Sequence, residues 1–450
     1  MTKSQQGIYD ARSLGKGKML TLGLQHMFAM FGATVLVPVI TGLSMSATLL
    51  FAGLGTFIFH FLTKMRVPAF LGSSFAFLGG YAAVVALGAQ QGLTASESLP
   101  YACIGVFSAG ILYFVLAGFI AAFGAKKVMR FFPPIVTGPI IIAIGLTLSG
   151  SAIQNCNSNW WIALLAIGII IVCNIWGKGM VKIIPILLGV LGSYLVAACF
   201  GLCDFTAVKE AAWLGVPFQW ENTAFHVFSN PNWGLVLSAI IAIVPISLAT
   251  MMEHIGDMCA ISSTVGENYL ENPGLHRTLM GDGLATMLAS LFGAPANTTY
   301  GENTGVLNLT KVYDPRVIRI AAMFAILLSF CPKFSALIAC MPASTIGGVS
   351  LVLYGMISAV GVRNVVENRV DFTKSRNVIV MALILVLAIG IKYGAGDAIN
   401  LGFTSLSGLA VAALVGVLLN AVLPGKDYEF GANPDADKAV NFEINPSLRK

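Results

Sequence analysis

The sequence has very little charge. Only 10% of its 450 residues are Asp, Glu, Lys or Arg, whereas 57% are hydrophobic. A soluble domain carries about 25% charged residues, so a water-exposed globular enzyme is excluded. Apolar runs of roughly 20 residues, the length that crosses a bilayer, recur along nearly the whole chain. The sequence therefore predicts an all-α polytopic membrane protein.

The motifs of common enzyme classes are also missing. The chain has no Walker A loop, no HExxH and no GxSxG, so ATP-driven action and the corresponding zinc and serine hydrolases are disfavoured. The eight cysteines show neither CxxC nor Cys/His metal spacing. Its net charge of +6 is interpreted as loop charge, not as a nucleic-acid surface. We predict no enzymatic activity, no metal and no cofactor.

Fourteen candidate spans can be assigned, of which the third and the tenth are weak as helices. They cover residues 19–42, 46–63, 70–87, 101–123, 132–153, 160–176, 181–202, 233–257, 279–293, 297–309, 317–339, 342–361, 377–394 and 401–424. An even number places both termini on one side. If that side is cytoplasmic, only three of the 26 Lys and Arg residues lie in segments on the external side of the membrane: Lys209, Lys333 and Lys392. This asymmetry supports the topology, because basic residues concentrate in cytoplasmic loops.

The spans divide into two halves of seven, 19–202 and 233–424. An odd number per half forces the second into inverted topology, an arrangement common in secondary transporters. The external segment 203–232 joins the halves, and its Trp213 and Trp220 indicate an interfacial segment. The remaining parts are cytoplasmic tails, 1–18 and 425–450; the N-terminal tail lacks a cleavable-signal pattern.

Each weak span is the third of its half. One contains Gly72-Ser73-Ser74-Phe75, and the other contains the polar stretch 297–305. Irregular polar backbone survives at membrane depth only where it lines a cavity. Paired interrupted segments in matching positions are the best sequence pointer to a transporter's binding site. We therefore predict that these two segments form the halves of one site.

Ionisable residues inside the spans are functional candidates by default. Glu253 and Asp257 are spaced i, i+4 and share a helix face. Two acids on one face repel each other unless one is protonated or paired. Their repulsion favours binding of a proton, as a proton-coupling site requires. The alternative, that they lie in cytoplasmic water at the end of the eighth span, stays open, more so for Asp257 than for Glu253.

Glu302 follows Tyr300 and Gly301, and a glycine lets the backbone approach a ligand closely. Glu253 and Glu302 can each accept a hydrogen bond from a ring N–H, as in a neutral heterocycle. Phe75 and Tyr300 offer faces to a flat ring, although an aromatic residue in a span more often only packs.

Three further polar groups lie in the spans. His26 is interpreted as a core group hydrogen-bonded across helices, and His60 as structural or interfacial. Asp282, between two glycines, is expected to orient the site or to pair with a neighbour.

Four segments together carry a family resemblance. Gln25-His26, Gly72-Ser73-Ser74-Phe75, Glu253-His254-Ile255-Gly256 and Glu302-Asn303-Thr304-Gly305 with Thr310-Lys311 resemble the nucleobase–ascorbate transporter family, or nucleobase:cation symporter-2. The last segment matches the family signature. The context 298–303 resembles the bacterial uracil permease branch in particular.

The resemblance implies the rest of the expected architecture. Fourteen segments would form two inverted seven-segment repeats, with a core domain from segments 1–4 and 8–11 and a gate domain from segments 5–7 and 12–14. Short antiparallel strands in segments 3 and 10 would meet at the substrate. The family members are homodimers in the lipid of the bacterial plasma (inner) membrane, and the resemblance implies import of uracil with a proton by alternating access.

The resemblance also assigns residues. The substrate contacts would come from Glu253, Glu302, Phe75, Tyr300, Gly301, Ala33 and Ser74, and the proton-coupling groups would be Glu253, Asp257, His26 and Asp282. Asp257 stands where the compared permease has histidine, and Asp282 where it has asparagine, so the proton's route stays open. Glutamate at 302, where many purine-transporting members carry glutamine, favours uracil.

Two alternatives remain. The first is a xanthine or uric acid proton symporter on the same fold. The second is an anion exchanger or channel of the same architecture, which would require positive charge where this chain has acids. A membrane-embedded enzyme ranks lower, because no nucleophile or metal cluster is evident.

Overall fold

The computed structural model describes residues 7–396, 398–400, 405–425 and 428. The helices in the first part of the chain are α1 (Lys16–Thr41), α2 (Met45–Leu62), α3 (Leu78–Ala89), α4 (Ala95–Phe123), α5 (Ala125–Met129), α6 (Pro134–Cys156), α7 (Trp160–Ile175), α8 (Met180–Ile183), α9 (Pro185–Cys199) and α10 (Thr206–Glu210). The later helices are α11 (Trp233–Ile243), α12 (Ile246–Val265), α13 (Leu275–Leu291), α14 (Gly301–Thr310), α15 (Pro315–Ser329), α16 (Pro332–Ala339), α17 (Ala343–Glu367), α18 (Ser375–Gly394) and α19 (Gly408–Val422). The strands are β1 (Leu71–Ser73), β2 (Asn297–Thr299), β3 (Ala398–Asn400) and β4 (Ser405–Ser407).

Within these described residues, seven helices are long and apolar enough to cross a membrane, counting α11 and α12 as one. The bent pair α15–α16 makes an eighth candidate span, and α3, α7, α9 and α19 are shorter apolar helices. The chain is therefore a multi-pass membrane protein.

Helix boundaries follow local chemistry. Thr94 and Glu97 form a reciprocal capping box at the start of α4. Proline opens α6, α9 and α15, where its missing N–H costs no helical hydrogen bond. The helix α12 ends where Gly266 takes a left-handed conformation (φ 81°), which closes the last turn.

The two weak spans contain β1 and β2, which pair antiparallel. Leu71 faces Thr299, Gly72 faces Thr298, and Ser73 faces Asn297. The helix α3 follows β1, and α14 follows β2. The predicted meeting of these two interrupted segments is confirmed.

Several spans differ from the sequence prediction. The span 401–424 contains the strand β4 before α19. The span 317–339 is not one helix, because α15 and α16 meet at an angle of 88°; the break falls at Pro332, which cannot donate a backbone hydrogen bond. The span 233–257 is also wrong at its end. The helix α12 continues to Val265, so Asp257 lies two turns inside it and not at a water-exposed end.

The loop 203–232 contains the short helix α10 and two 3₁₀ helices, Trp220–Asn222 and Ala224–Ser229. Trp213 lies outside any helix, with the Lys333 ammonium 5.0 Å from its ring centre. Trp220 begins a 3₁₀ turn and stacks on Phe225 at 6.0 Å. The predicted C-terminal tail 425–450 lies almost wholly outside the described residues.

The helices pack in two sets. In one, α4 packs on α13, α11 and α3, while α2 and α1 pack on α15. In the other, α6 packs on α17 and α18, α7 on α9 and α17, and α18 on α19. A Cβ at Gly361 would lie 2.6 Å from the Gly138 carbonyl oxygen, so these small residues let α6 and α17 approach closely. The helix α14 packs on α1 and so joins the first set; α12 contacts α13 and α14 of that set and α6 and α19 of the second.

The segment before α1 is fixed to the chain after α14. The Ile8 amide donates to the Lys311 carbonyl at 2.7 Å, and the Tyr313 amide donates to the Ile8 carbonyl at 2.8 Å. The buried Asp314 carboxylate accepts from the Ala11 amide at 2.8 Å and from the Arg316 amide at 2.9 Å, where it caps α15. Asp314 is therefore the polar centre of this junction.

We expect Asp314→Ala to lower the free energy of unfolding by about 1–3 kcal/mol, because it removes a helix cap and leaves the buried Ala11 N–H unpaired. Thermal unfolding in detergent measures the change. Asp10→Ala is the control: Asp10 is about half exposed and also contacts Arg316, at 3.1 Å, so its loss should matter less. Equal destabilisation by the two variants would contradict this account of the junction.

Candidate functional site

The β1–β2 pair is held by buried side chains. Thr56 on α2 accepts a hydrogen bond from the Leu71 amide at 3.0 Å. The Asn297 side chain donates to the Phe51 carbonyl at 2.9 Å, and the Thr286 hydroxyl donates to the Asn297 carbonyl at 2.8 Å. Since no water is available in hydrocarbon, these partners and the opposite strand allow extended backbone to persist there.

Tyr300 joins the two strands. Its hydroxyl donates to the Ser73 carbonyl at 2.9 Å, and the Ser73 hydroxyl donates to the Thr34 carbonyl on α1 at 2.8 Å. A Cβ at Gly72 would lie 2.5 Å from the Tyr300 ring. One surface of the ring is therefore covered by the backbone of β1, and the residue is almost fully buried.

Glu253 on α12 and Glu302 in the first turn of α14 are half-buried and near enough for their charges to repel. Within the described residues, neither carboxylate has a hydrogen bond to another side chain. Gly301 is exposed, and a Cβ there would meet the Asp257 carboxylate at 3.6 Å. The structure thus brings Gly301 and the three acids together around the start of α14.

Phe75, Ser74 and Ala33 are buried. The Phe75 ring lies edge-on to Tyr354 of α17, with centroids 5.8 Å apart. The Ser74 amide donates to the Ala296 carbonyl at 2.8 Å, and its hydroxyl has no partner among the described residues. Phe75 is therefore the predicted site residue that faces the second packing set.

Asp257 is half-buried and accepts a hydrogen bond from the Thr299 hydroxyl at 2.9 Å. The interpretation that it lies at the end of its helix is wrong, because α12 continues to Val265. Sequence reasoning missed Thr299. The polar run 297–299 was the available signal, but it does not show which threonine faces α12.

Asp282 and His254 are fully buried neighbours, with 3.4 Å between an Asp282 carboxylate oxygen and His254 Nδ1. Pairing was one of the two roles expected for Asp282. His254 was not singled out, because it lies between Glu253 and Asp257 on the same helix.

Two other buried histidines, His26 and His60, tie elements together. The Asn303 side chain donates to His26 Nδ1 at 3.2 Å and to the His26 carbonyl at 3.1 Å, which joins α1 to α14. The prediction that His26 is hydrogen-bonded across helices is confirmed. His60 Nε2 lies 2.9 Å from the Ala69 carbonyl oxygen in the buried approach to β1, so His60 is structural rather than interfacial.

Two broken segments that meet inside a bundle of spans, with half-buried acids at the junction, define the class of secondary transporters. Residues 17–396 match the family model Xan_ur_permease, described as a permease family, and the chain belongs to this family. The protein is thus a transporter and not an enzyme.

The relatives cover nearly the whole chain. A uracil permease of Bacillus caldolyticus is 42% identical over 438 residues, which are 95% of this chain and 96% of that protein. A uracil permease of Bacillus subtilis (strain 168) is 39% identical over 419 residues, 90% of this chain and 92% of that protein.

The fold is shared more widely. The transmembrane domain of the cyanobacterial bicarbonate transporter BicA superposes with a TM-score of 0.60 at 15% identity, over 93% of this chain and 100% of that one. At this identity the likeness establishes the fold alone.

Proposed function

We propose that the protein is a proton-coupled symporter that imports uracil across the plasma membrane by alternating access. The observation that carries this proposal is the pair Glu253 and Glu302 beside the strand junction, two half-buried carboxylates that have no hydrogen bond to another side chain among the described residues. Uracil has two ring N–H donors, which two carboxylates match. The uracil permeases among the relatives support this substrate.

The remaining substrate contacts are proposed around the two acids. Gly301 opens α14, where free backbone N–H groups can donate to a uracil carbonyl. The unpartnered Ser74 hydroxyl is a further donor. Phe75 and Tyr300 would flank the ring, and Ala33 would pack against it. The nearness of Phe75 to α17 supports closure of the site by the second packing set.

We propose fourteen segments in two inverted repeats, with both termini cytoplasmic. The antiparallel pairing of β1 with β2, each followed by a short helix, supports the inverted relation. The two packing sets support a core domain from segments 1–4 and 8–11 and a gate domain from segments 5–7 and 12–14. The resemblance supports a homodimer surrounded by membrane lipid.

Proton coupling is assigned to Glu253, Asp257, Asp282 and His26. The three acids are at least half-buried and close together on α12 and α13. Ionising all three at once is therefore unfavourable, because buried charges lose hydration and like charges repel. A proton bound with uracil would remove one of these charges. His26 touches the same site through Asn303.

Uptake of labelled uracil into vesicles that contain the protein tests the proposal. We expect accumulation under an imposed pH gradient, its loss on adding a protonophore, and no response to a sodium gradient. Unlabelled uracil should compete better than xanthine or uric acid, because Glu302 stands where, by the family resemblance, many purine-transporting members carry glutamine. Preferential competition by xanthine would favour the purine alternative.

The anion alternative is tested in the same assay. The likeness to a bicarbonate transporter concerns the fold, whereas the acids at the strand junction would repel an anion. Bicarbonate or chloride should therefore leave uracil uptake unchanged. Exchange of either anion for uracil would contradict the proposal.

A further inference from the structure

A chain of polar groups leads from Asp257 to the interior of the bundle. The Thr299 hydroxyl donates to Asp257 Oδ2 at 2.9 Å, and His254 Nδ1 lies 3.4 Å from the Thr299 oxygen. The same nitrogen lies 3.4 Å from Asp282 Oδ2. His254 therefore stands between β2, which carries Thr299, and α13, which carries Asp282.

His254 Nδ1 is equally far from its two partners. Both distances exceed the 2.7–3.2 Å of a well-formed N–H···O hydrogen bond. The contact with Thr299 has hydrogen-bonding geometry, whereas Asp282 lies within ion-pair distance but without a hydrogen bond. Proton transfer to either partner therefore requires the imidazole to move closer to it. Phe59 of α2 packs edge-on against the ring, with centroids 6.2 Å apart.

Asp282 is the innermost of these polar groups. Its side chain has no exposed surface, and neither oxygen has a hydrogen bond to the described residues. A carboxylate in such a place needs either a proton or a positive partner, and His254 is the adjacent group able to supply a charge. The other titratable groups that face Asp282 are Glu253 and Asp257 of α12 and Tyr113 of α4.

We propose that Asp282, His254 and Thr299 form an internal proton relay to Asp257, in which His254 Nδ1 exchanges a proton alternately with Asp282 and Thr299. This inference rests on the proton-coupled transport proposed above and deepens it by giving the proton a second, buried position. His254 and Thr299 become positioning and relay groups that no family assignment above includes.

The transfer balances. The Asp282 O–H bond breaks and a bond to His254 Nδ1 forms, which leaves a carboxylate beside an imidazolium. The Nδ1–H bond then breaks as the Thr299 oxygen gains that proton and passes its own to Asp257. The net change is a proton moved from Asp282 to a previously ionised Asp257, with His254 and Thr299 returned to their neutral forms.

The experiment compares two activities of the full chain in proteoliposomes: uracil accumulation driven by a pH gradient, and uracil counterflow without a gradient. A merely structural defect lowers both together. In Asp282→Asn and in Thr299→Val, we expect the ratio of accumulation to counterflow to fall at least about tenfold, because the driving gradient no longer reaches the carrier. Thr299→Ser, which keeps the hydroxyl, should retain the ratio of the unmodified protein.

Asp371→Asn, a partly exposed acid between α17 and α18 that lies outside the relay, is the matched acid-to-amide control and should not change the ratio. The relay is overturned if Asp282→Asn and Thr299→Val keep the ratio of the unmodified protein, or if Thr299→Ser loses it as Thr299→Val does. The unmodified protein supplies the separate test of coupling. If a protonophore leaves its accumulation intact, the proposed function and the relay both fail; if it responds while the variants stay coupled, only the relay fails.

Discussion

Replacing Glu302 with alanine is expected to weaken uracil binding at least about 30-fold, because loss of one partner of a desolvated, charged hydrogen bond costs about 2–5 kcal/mol. The Glu302 carboxylate is half-buried and has no hydrogen bond to another side chain among the described residues. Its removal therefore breaks no described side-chain hydrogen bond, and the protein should still fold. Equilibrium binding of labelled uracil to purified protein measures the loss.

Two companion variants sharpen the test. Glu302→Gln keeps the shape and one acceptor oxygen, so it should bind uracil less well than the unmodified protein and better than Glu302→Ala. Glu302→Gln should also let xanthine compete better with uracil, because, by the family resemblance, many purine-transporting members carry glutamine at this position. Glu267→Ala, an exposed acid after α12, is the control and should bind normally. A folded Glu302→Ala protein with unchanged uracil affinity would refute the site.

A double variant tests whether the two acids hold one ligand. Glu253→Ala alone should produce a loss similar to that of Glu302→Ala. If both carboxylates hold the same uracil molecule, the double variant should lose less binding free energy than the two single variants lose in sum, because the first substitution already releases the ring. Full additivity would place the acids at separate sites.

Composition and hydropathy predict much of this fold, because a bilayer selects for apolar runs of fixed length. The interruptions near Gly72 and Tyr300 could also be found, since polar residues there break those runs. The bend at Pro332 and the continuation of α12 to Val265 could not. An averaged hydropathy does not distinguish a bent helix from a straight one, and the polar residues of α12 are kept buried by contacts with β2 and α14.

Some residues of the site could be predicted from the sequence and others could not. Glu253, Asp257, Asp282 and Glu302 are conspicuous because acids are rare in apolar runs. The relation of Thr299 to Asp257 was not available, because successive residues of a strand point to opposite faces. Which of Thr298 and Thr299 meets α12 depends on the register of β2 against β1, and that register follows from the three-dimensional pairing of segments far apart in the chain.

Replacing Gly72 with alanine is expected to disrupt the junction on which both halves of the site depend. The added Cβ would lie 2.5 Å from the Tyr300 ring and 2.7 Å from the Thr34 hydroxyl oxygen. Tyr300 cannot easily retreat, because its hydroxyl is bonded to Ser73. Overpacking of this kind costs about 1–3 kcal/mol, and displacement of Tyr300 would carry Gly301 and Glu302 with it. Thermal unfolding should show the destabilisation, and uracil binding should fall at least about tenfold, the equivalent of 1.4 kcal/mol.

Gly79→Ala is the matched control in the same segment. A Cβ at Gly79 meets no atom within 4 Å, and the residue lies in α3, where alanine is favoured over glycine by up to about 1 kcal/mol. This variant should be as stable as the unmodified protein or slightly more so. Equal losses in the two variants would indicate that β1 and α3 tolerate no added methyl group, whatever that group touches. Loss in Gly72→Ala alone would tie uracil binding to the contact between β1 and Tyr300, because the two substitutions add the same methyl group and differ in what that group touches.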